Sequence, residues 1–173
     1  QGSQNTKTIN DIISIHKQKE QALNESTHDS EIKEYLDSFL PFAKKRFGYD
    51  EEPEINFVSD PENGKMPLGK TAYYEPSKMA VTVFTDNRHP KDIMRSLSHE
   101  LVHHAQNCDG QFDLNMGVGE GYAQNDEHLR KMEEDAYLRG NMCFRDWEDG
   151  YKKSNPMLEQ RERLYYELMR RFK

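Results

Sequence analysis

The sequence predicts an α+β fold: a small antiparallel or mixed β-sheet packed on a central helix and a second helix that follows it, with additional helices toward both ends. Three observations predict it. Short runs rich in β-branched and aromatic residues, separated by Pro, Gly and Asn, fall between residues 54 and 85. Apolar residues three and four apart then recur from Pro90 to about Asn107 and again from near Asn125 to about Arg145. Finally, 173 residues at 34% hydrophobic content and a mean hydropathy of -1.06 suffice for one modest core and no second one.

Residues 1–28 read as a tag remnant, Gln1-Gly2-Ser3-Gln4, and a loosely attached thin amphipathic helix with Ile9, Ile12 and Ile13 on its stripe. Residues 29–173 read as a single domain. It opens with a helix that Ser30 can cap and Gly48 can stop, and Ile32, Tyr35, Leu36, Phe39 and Leu40 form its buried face. Three strands follow, Glu54–Val58, Lys70–Tyr74 and Met79–Thr85, divided by the turn signals Asp60-Pro61-Glu62-Asn63-Gly64 and Glu75-Pro76-Ser77. The last two strands form an antiparallel hairpin on this reading. Pro90 suits the first position of the central helix, because its missing N–H would have no partner there. Ile93, Met94, Leu97, Leu101 and Ala105 give that helix its apolar stripe, and Cys108-Asp109-Gly110 ends it. Gly117, Gly119 and Gly121 mark a loop at the cleft. A last helix runs from Asn155-Pro156 to the end.

Composition excludes several functions. Lys and Arg number 24 against 31 Asp and Glu, a net charge of −7 that repels phosphate, and no basic stripe appears, so nucleic acid is not an expected partner. The longest apolar runs fall far short of the roughly 18 residues of a membrane span. Cys108 and Cys143 are too few for a disulfide framework, although one bridge between them stays open. The N-terminal residues lack the basic and apolar regions of a secretory signal, which makes the cytoplasm the default compartment.

Inside the central helix stands His99-Glu100-Leu101-Val102-His103, an HExxH pattern. Residues four apart lie on one face of a helix, so the two imidazoles can converge on one metal, each Nε2 about 2.0–2.1 Å from a zinc ion. Glu100, adjacent to that face, can reach a water on the metal without ligating it. A catalytic zinc takes three protein ligands and keeps one position open. The third is sought in Glu133-Glu134-Asp135-Ala136-Tyr137, with 29 residues between His103 and Glu133, enough for a loop and a helix that crosses the first. The charges of Arg130-Lys131-Met132-Glu133-Glu134-Asp135 also suit a plain solvated helix face. His104 points about 100° away from His103 and is expected to cap or cover the surface.

The HELVHH run at 99–104, on a helix that follows a β-hairpin and precedes a helix bearing Glu-x-x-Ala, resembles the gluzincin metallopeptidases, particularly the small minigluzincins. The resemblance spans about Glu54 to Gly140. It implies a zincin-like domain, a zinc cofactor held by His99, His103 and Glu133, Glu100 as general base, and a peptide or protein substrate. Many relatives carry Asp after the Ala, where this chain has Tyr137, so Glu134 is the alternative ligand in the adjacent register and Asp135 the third choice. The third His of the longer metzincin pattern is absent, with Asp109 in its place.

Such enzymes commonly stabilise the oxyanion with a Tyr, His or Arg, which here makes Tyr122, His128, Tyr137 and Arg139 the candidates. Tyr137 is the leading catalytic candidate, since it follows Glu133 by one turn. Gly140, seven residues after Glu133, would let two helices approach closely. The strand Met79–Phe84 would bind substrate by backbone pairing if it forms the sheet edge. The competing expectation is a non-catalytic zinc-binding structural or interaction protein on the same scaffold, with a metal-free binding domain behind it; the oligomeric state is left open.

Overall fold

The computed structural model describes residue 14, residues 29–112 and 127–157, and residues 160, 163, 164, 167 and 170. The expected helix around 8–23, the glycine loop at 117–121, Tyr122 and most of the last helix lie outside the described residues. The chain divides into two compact units, Gln1–Ser38 and Phe39–Lys173. That division falls within the first described helix, α1 (29–47), ten residues beyond the expected boundary after residue 28. Ser30 is already helical rather than a cap, whereas Gly48 does end the helix, with φ +80.

The second unit is α+β. Strand β1 is Glu54–Val58, β2 is Ala72–Glu75 and β3 is Ala80–Phe84. They form one mixed sheet in the order β1-β3-β2, with β1 parallel to β3 and β2 antiparallel to it. The expected β2–β3 hairpin is present, closed by a short 3₁₀ turn at Pro76–Lys78 with Met79 left-handed at φ 50. Two expectations are corrected. The segment at 60–64 is not a plain turn: Pro61–Lys65 forms a one-turn helix, α2, because the Asp60 side chain accepts from the Asn63 amide and Pro61 occupies the first turn. And β3 is the central strand, paired on both sides, so it cannot offer its backbone to a substrate. The parallel crossover from β1 to β3 inserts α2 and β2 between them in sequence, and local pattern carries no signal for that order.

Helix α3 (Pro90–Cys108) starts and stops within a residue of expectation. The His89 ring accepts from the Lys91 amide at its N-cap, and Gly110 at φ +72 follows its C-cap. Helix α4 runs Glu127–Ser154, nine residues past Arg145. Tertiary packing carries it on: Trp147 is buried edge-on to Phe39 at 5.3 Å and stacks on Tyr151 at 5.0 Å. Lys91 pairs with Glu148 at 2.8 Å, Ser98 Oγ donates to the Gly140 carbonyl at 2.8 Å, and Gln106 Nε2 donates to the Met132 carbonyl at 3.0 Å. These three contacts fix α4 antiparallel to α3. The core between sheet and helices is Val81 and Val83 with Ile93, Met94, Leu97, Leu101 and Val102, joined on the α4 side by Ala136, Cys143 and Phe144. Cys108 and Cys143 are both free thiols.

Candidate metal centre

Helical spacing and one close crossing build the site. His99 and His103 lie one above the other on one face of α3, their rings edge-on with centroids 4.9 Å apart. Gly140 brings α4 against that face: a Cβ placed on it would stand 3.0 Å from His99 Cα and 3.1 Å from His99 N. Two turns N-terminal to Gly140 on α4, Glu133 faces both imidazoles. His99 Nε2 lies 3.2 Å from His103 Nε2, and each of the two is 3.3 Å from a Glu133 oxygen. Among the described residues this trio is the one group of three His, Cys, Asp or Glu side chains placed to hold a metal ion. Glu134 is exposed and outside it. Asp135, the third-choice ligand, also stays outside and pairs with Arg139 at 3.0 Å.

The hydrogen bonds around His103 decide what these atoms can do. Gln106 Nε2 donates to the Met132 carbonyl and to Asp135 Oδ2, both at 3.0 Å, which orients its amide and turns Oε1 toward His103. His103 Nδ1 must then donate to that oxygen, at 2.9 Å, and a neutral His103 bears its lone pair on Nε2. A nitrogen lone pair, a second imidazole nitrogen and a carboxylate therefore point at one spot. Such an arrangement needs a proton or a cation at its centre. Four tetrahedral ligands about 2.0–2.1 Å from a zinc ion lie about 3.3 Å from one another, which the three observed separations match.

Without a metal the proton supplies the answer. Hydrogen bonds from His103 and then His99 hold the Glu133 carboxyl well below the usual carboxylate range. Burial works against a charged His103 imidazole, but its bond to Glu133 and the charges of Glu100 and Glu133 outweigh burial and raise its pKa. The two shifts are one interaction seen from its two ends.

Glu100 sits beside the trio and is only 8% exposed. Burial pushes its carboxyl above the usual range; His103 and His99 pull it back, Glu133 pushes it further up, and a hydrogen bond from the Tyr74 backbone amide pulls it down. Tyr137 is 70% exposed on α4, one turn beyond Glu133. Arg139 is engaged elsewhere, on Asp135 and over the Phe47 ring at 5.7 Å, and His128 donates to the Gln111 carbonyl at 2.9 Å.

His104 departs from expectation. It is fully buried, not a surface cover, because Tyr49 and Tyr74 enclose it edge-on at 4.9 and 5.6 Å. Gln106, Asp135 as its partner, Tyr74 and Phe112, whose ring lies 6.1 Å from those of both His103 and Tyr74, escaped the sequence reading. Only Gln106 left a trace in sequence, as a residue able to face its own helix's His103 from three positions on. No family model, curated protein or solved structure matches this chain.

Proposed function

We propose that the chain is a zinc metallopeptidase of the gluzincin type, a small zincin-like domain that hydrolyses peptide bonds. The observation that carries this reading is the meeting of His99, His103 and Glu133 at tetrahedral-ligand spacing, with the buried Glu100 carboxyl beside them. A zinc ion held by such a trio supplies Lewis acidity, which polarises the scissile carbonyl and acidifies water. A structural zinc takes four protein ligands, and a three-ligand set beside a carboxylate suits catalysis instead.

Glu100 performs the proton work. It takes a proton from the attacking water and returns it to the leaving amine nitrogen, and its burial-raised pKa brings it closer to neutral pH, where both transfers are efficient. Tyr137 is the proposed oxyanion stabiliser among the described candidates, since Arg139 and His128 are committed to other partners. The substrate is an extended peptide or protein segment. Strand β2 forms one margin of the sheet, and its outward backbone groups, the Ala72 N–H and C=O and the Tyr74 C=O, suit pairing with such a segment.

Glu100→Gln tests the reading. Cleavage of a quenched fluorescent peptide library is expected to fall by about 10²–10⁴-fold while bound zinc, measured by mass spectrometry, stays stoichiometric. Zinc binding with no cleavage by the unaltered chain would point instead to a non-catalytic zinc protein.

A further inference from the structure

We propose that Arg88 and Asn107 are positioning residues for the peptide: they fasten the two ends of β2 to α3, on either side of the metal-binding turn, and hold its free margin ready for pairing. The inference rests on the peptidase reading and on its pairing of substrate with β2.

Strand β2 has four residues, Ala72–Glu75, and pairs with β3 alone among the described residues. Phe84 N donates to the Thr71 carbonyl at 3.0 Å, so residues 71, 73 and 75 bond toward β3 and the backbone groups of Ala72 and Tyr74 face outward. So short a strand at a margin frays from both ends unless its ends are held.

Arg88 holds the open end of the hairpin. Its Nη2 donates to the Asp92 carbonyl at 2.9 Å and to Ser96 Oγ at 2.6 Å, which lays the guanidinium along the first turns of α3. Its Nη1 donates to the Thr71 carbonyl at 2.9 Å and to the Phe84 carbonyl at 3.0 Å, one acceptor on each strand. Asn107, in the last turn of α3, holds the other end: Nδ2 donates to the Pro76 carbonyl at 3.1 Å and to the Tyr74 hydroxyl at 2.9 Å. That hydroxyl donates in turn to His104 Nδ1 at 3.0 Å, because His104 Nε2 donates to the Glu51 carbonyl at 2.7 Å.

The two spans agree. From Ser96 to Asn107 the helix rises about 16 Å, and from Thr71 to Pro76 an extended chain covers about 17 Å. The strand therefore runs beside the stretch of α3 that carries His99, Glu100 and His103. A margin already fixed there offers the Ala72 and Tyr74 carbonyls to a peptide without having to be ordered on binding, which favours association.

The test uses the zinc-loaded full chain, one peptide that it cleaves and the single N-methyl derivatives of that peptide. In the unaltered chain, N-methylation at two amides two residues apart is expected to lower kcat/KM roughly tenfold each, since those N–H groups meet the Ala72 and Tyr74 carbonyls. Arg88→Met and Asn107→Ala are each expected to raise KM about tenfold with kcat and zinc content unchanged, because the strand must then be ordered as the peptide binds. Both variants are expected to shrink the N-methyl effects, the mark of coupled sites. By NMR, exchange of the Tyr73 amide, which bonds toward β3, accelerates about tenfold in both, while the Val83 amide, which faces β1, does not change. Should Arg88→Met not fold, Arg88→Lys, which replaces the fork by a single ammonium, gives the same shifts at smaller amplitude. Unchanged KM in both variants overturns the proposal, as does unchanged exchange at position 73. Absence of cleavage by the unaltered chain removes the peptidase reading and this inference with it, whereas cleavage with unchanged KM removes the inference alone.

Discussion

The Nε2 atoms of His99 and His103 and the carboxylate of Glu133 leave a gap that a single cation fits, and Gln106 keeps His103 in the tautomer that faces it. Partners of this kind set ligand orientation and basicity, and their loss typically costs 10- to 100-fold in metal affinity. Gln106→Ala is therefore expected to weaken zinc binding by about that factor in a chelator competition, with the fold intact; unchanged affinity would mean that His103 needs no orienting partner. The shared face of His99 and His103 was legible in the sequence because a four-residue interval fixes a helical face whatever the tertiary surroundings, whereas Glu133, on another helix, was reached only through the family resemblance, with Glu134 as its alternative. Tyr74 and Asp135 were not legible, since their parts depend on which elements meet, and His104 was misplaced because its burial comes from Tyr49 and Tyr74, 55 and 30 residues upstream.

At the scale of elements, the approach of α4 to α3 depends on the absence of a side chain at position 140. A helical Gly→Ala change gains about 1 kcal/mol in propensity. Here the added methyl meets backbone atoms of His99 at 3.0 and 3.1 Å, which cannot swing aside as a flexible side chain would. Overpacking of this kind costs about 1–3 kcal/mol, so Gly140→Ala is expected to be net destabilising by about 1 kcal/mol and to weaken zinc binding by displacing Glu133. Urea unfolding and zinc titration check both; a stabilised variant would mean that the helices have room to part. The close approach at Gly140 was readable from its spacing to Glu133. The strand order was not, because a parallel β1–β3 pair is made by a crossover that alternating hydrophobicity does not record. The extension of α4 to Ser154 likewise follows from Trp147 and Glu148 finding Phe39 and Lys91, not from any local signal.

At the scale of the molecule, a small α+β core brings the candidate metal ligands together where α3 and α4 cross. No described helix is long and apolar enough to span a membrane. The α+β class was legible because the change from period-two to period-three-and-four patterning falls near residue 85, while the choice between an antiparallel and a mixed sheet was left open until the parallel β1–β3 pair decided it. A ligand that binds only the folded chain stabilises it by about 2.7 kcal/mol at 100 times its dissociation constant. Saturating zinc is accordingly expected to raise Tm by several degrees and excess chelator to reverse the shift, with neither effect in His103→Ala; an equal rise in that variant would place the ion elsewhere. The most direct measurement is anomalous diffraction at the zinc edge from zinc-loaded crystals. The expected result is one ion with nitrogens of His99 and His103 at about 2.0–2.1 Å, a Glu133 oxygen at about 2.0–2.2 Å and a fourth position free of protein atoms. An anomalous peak on other residues, or none between those two imidazoles, would contradict it.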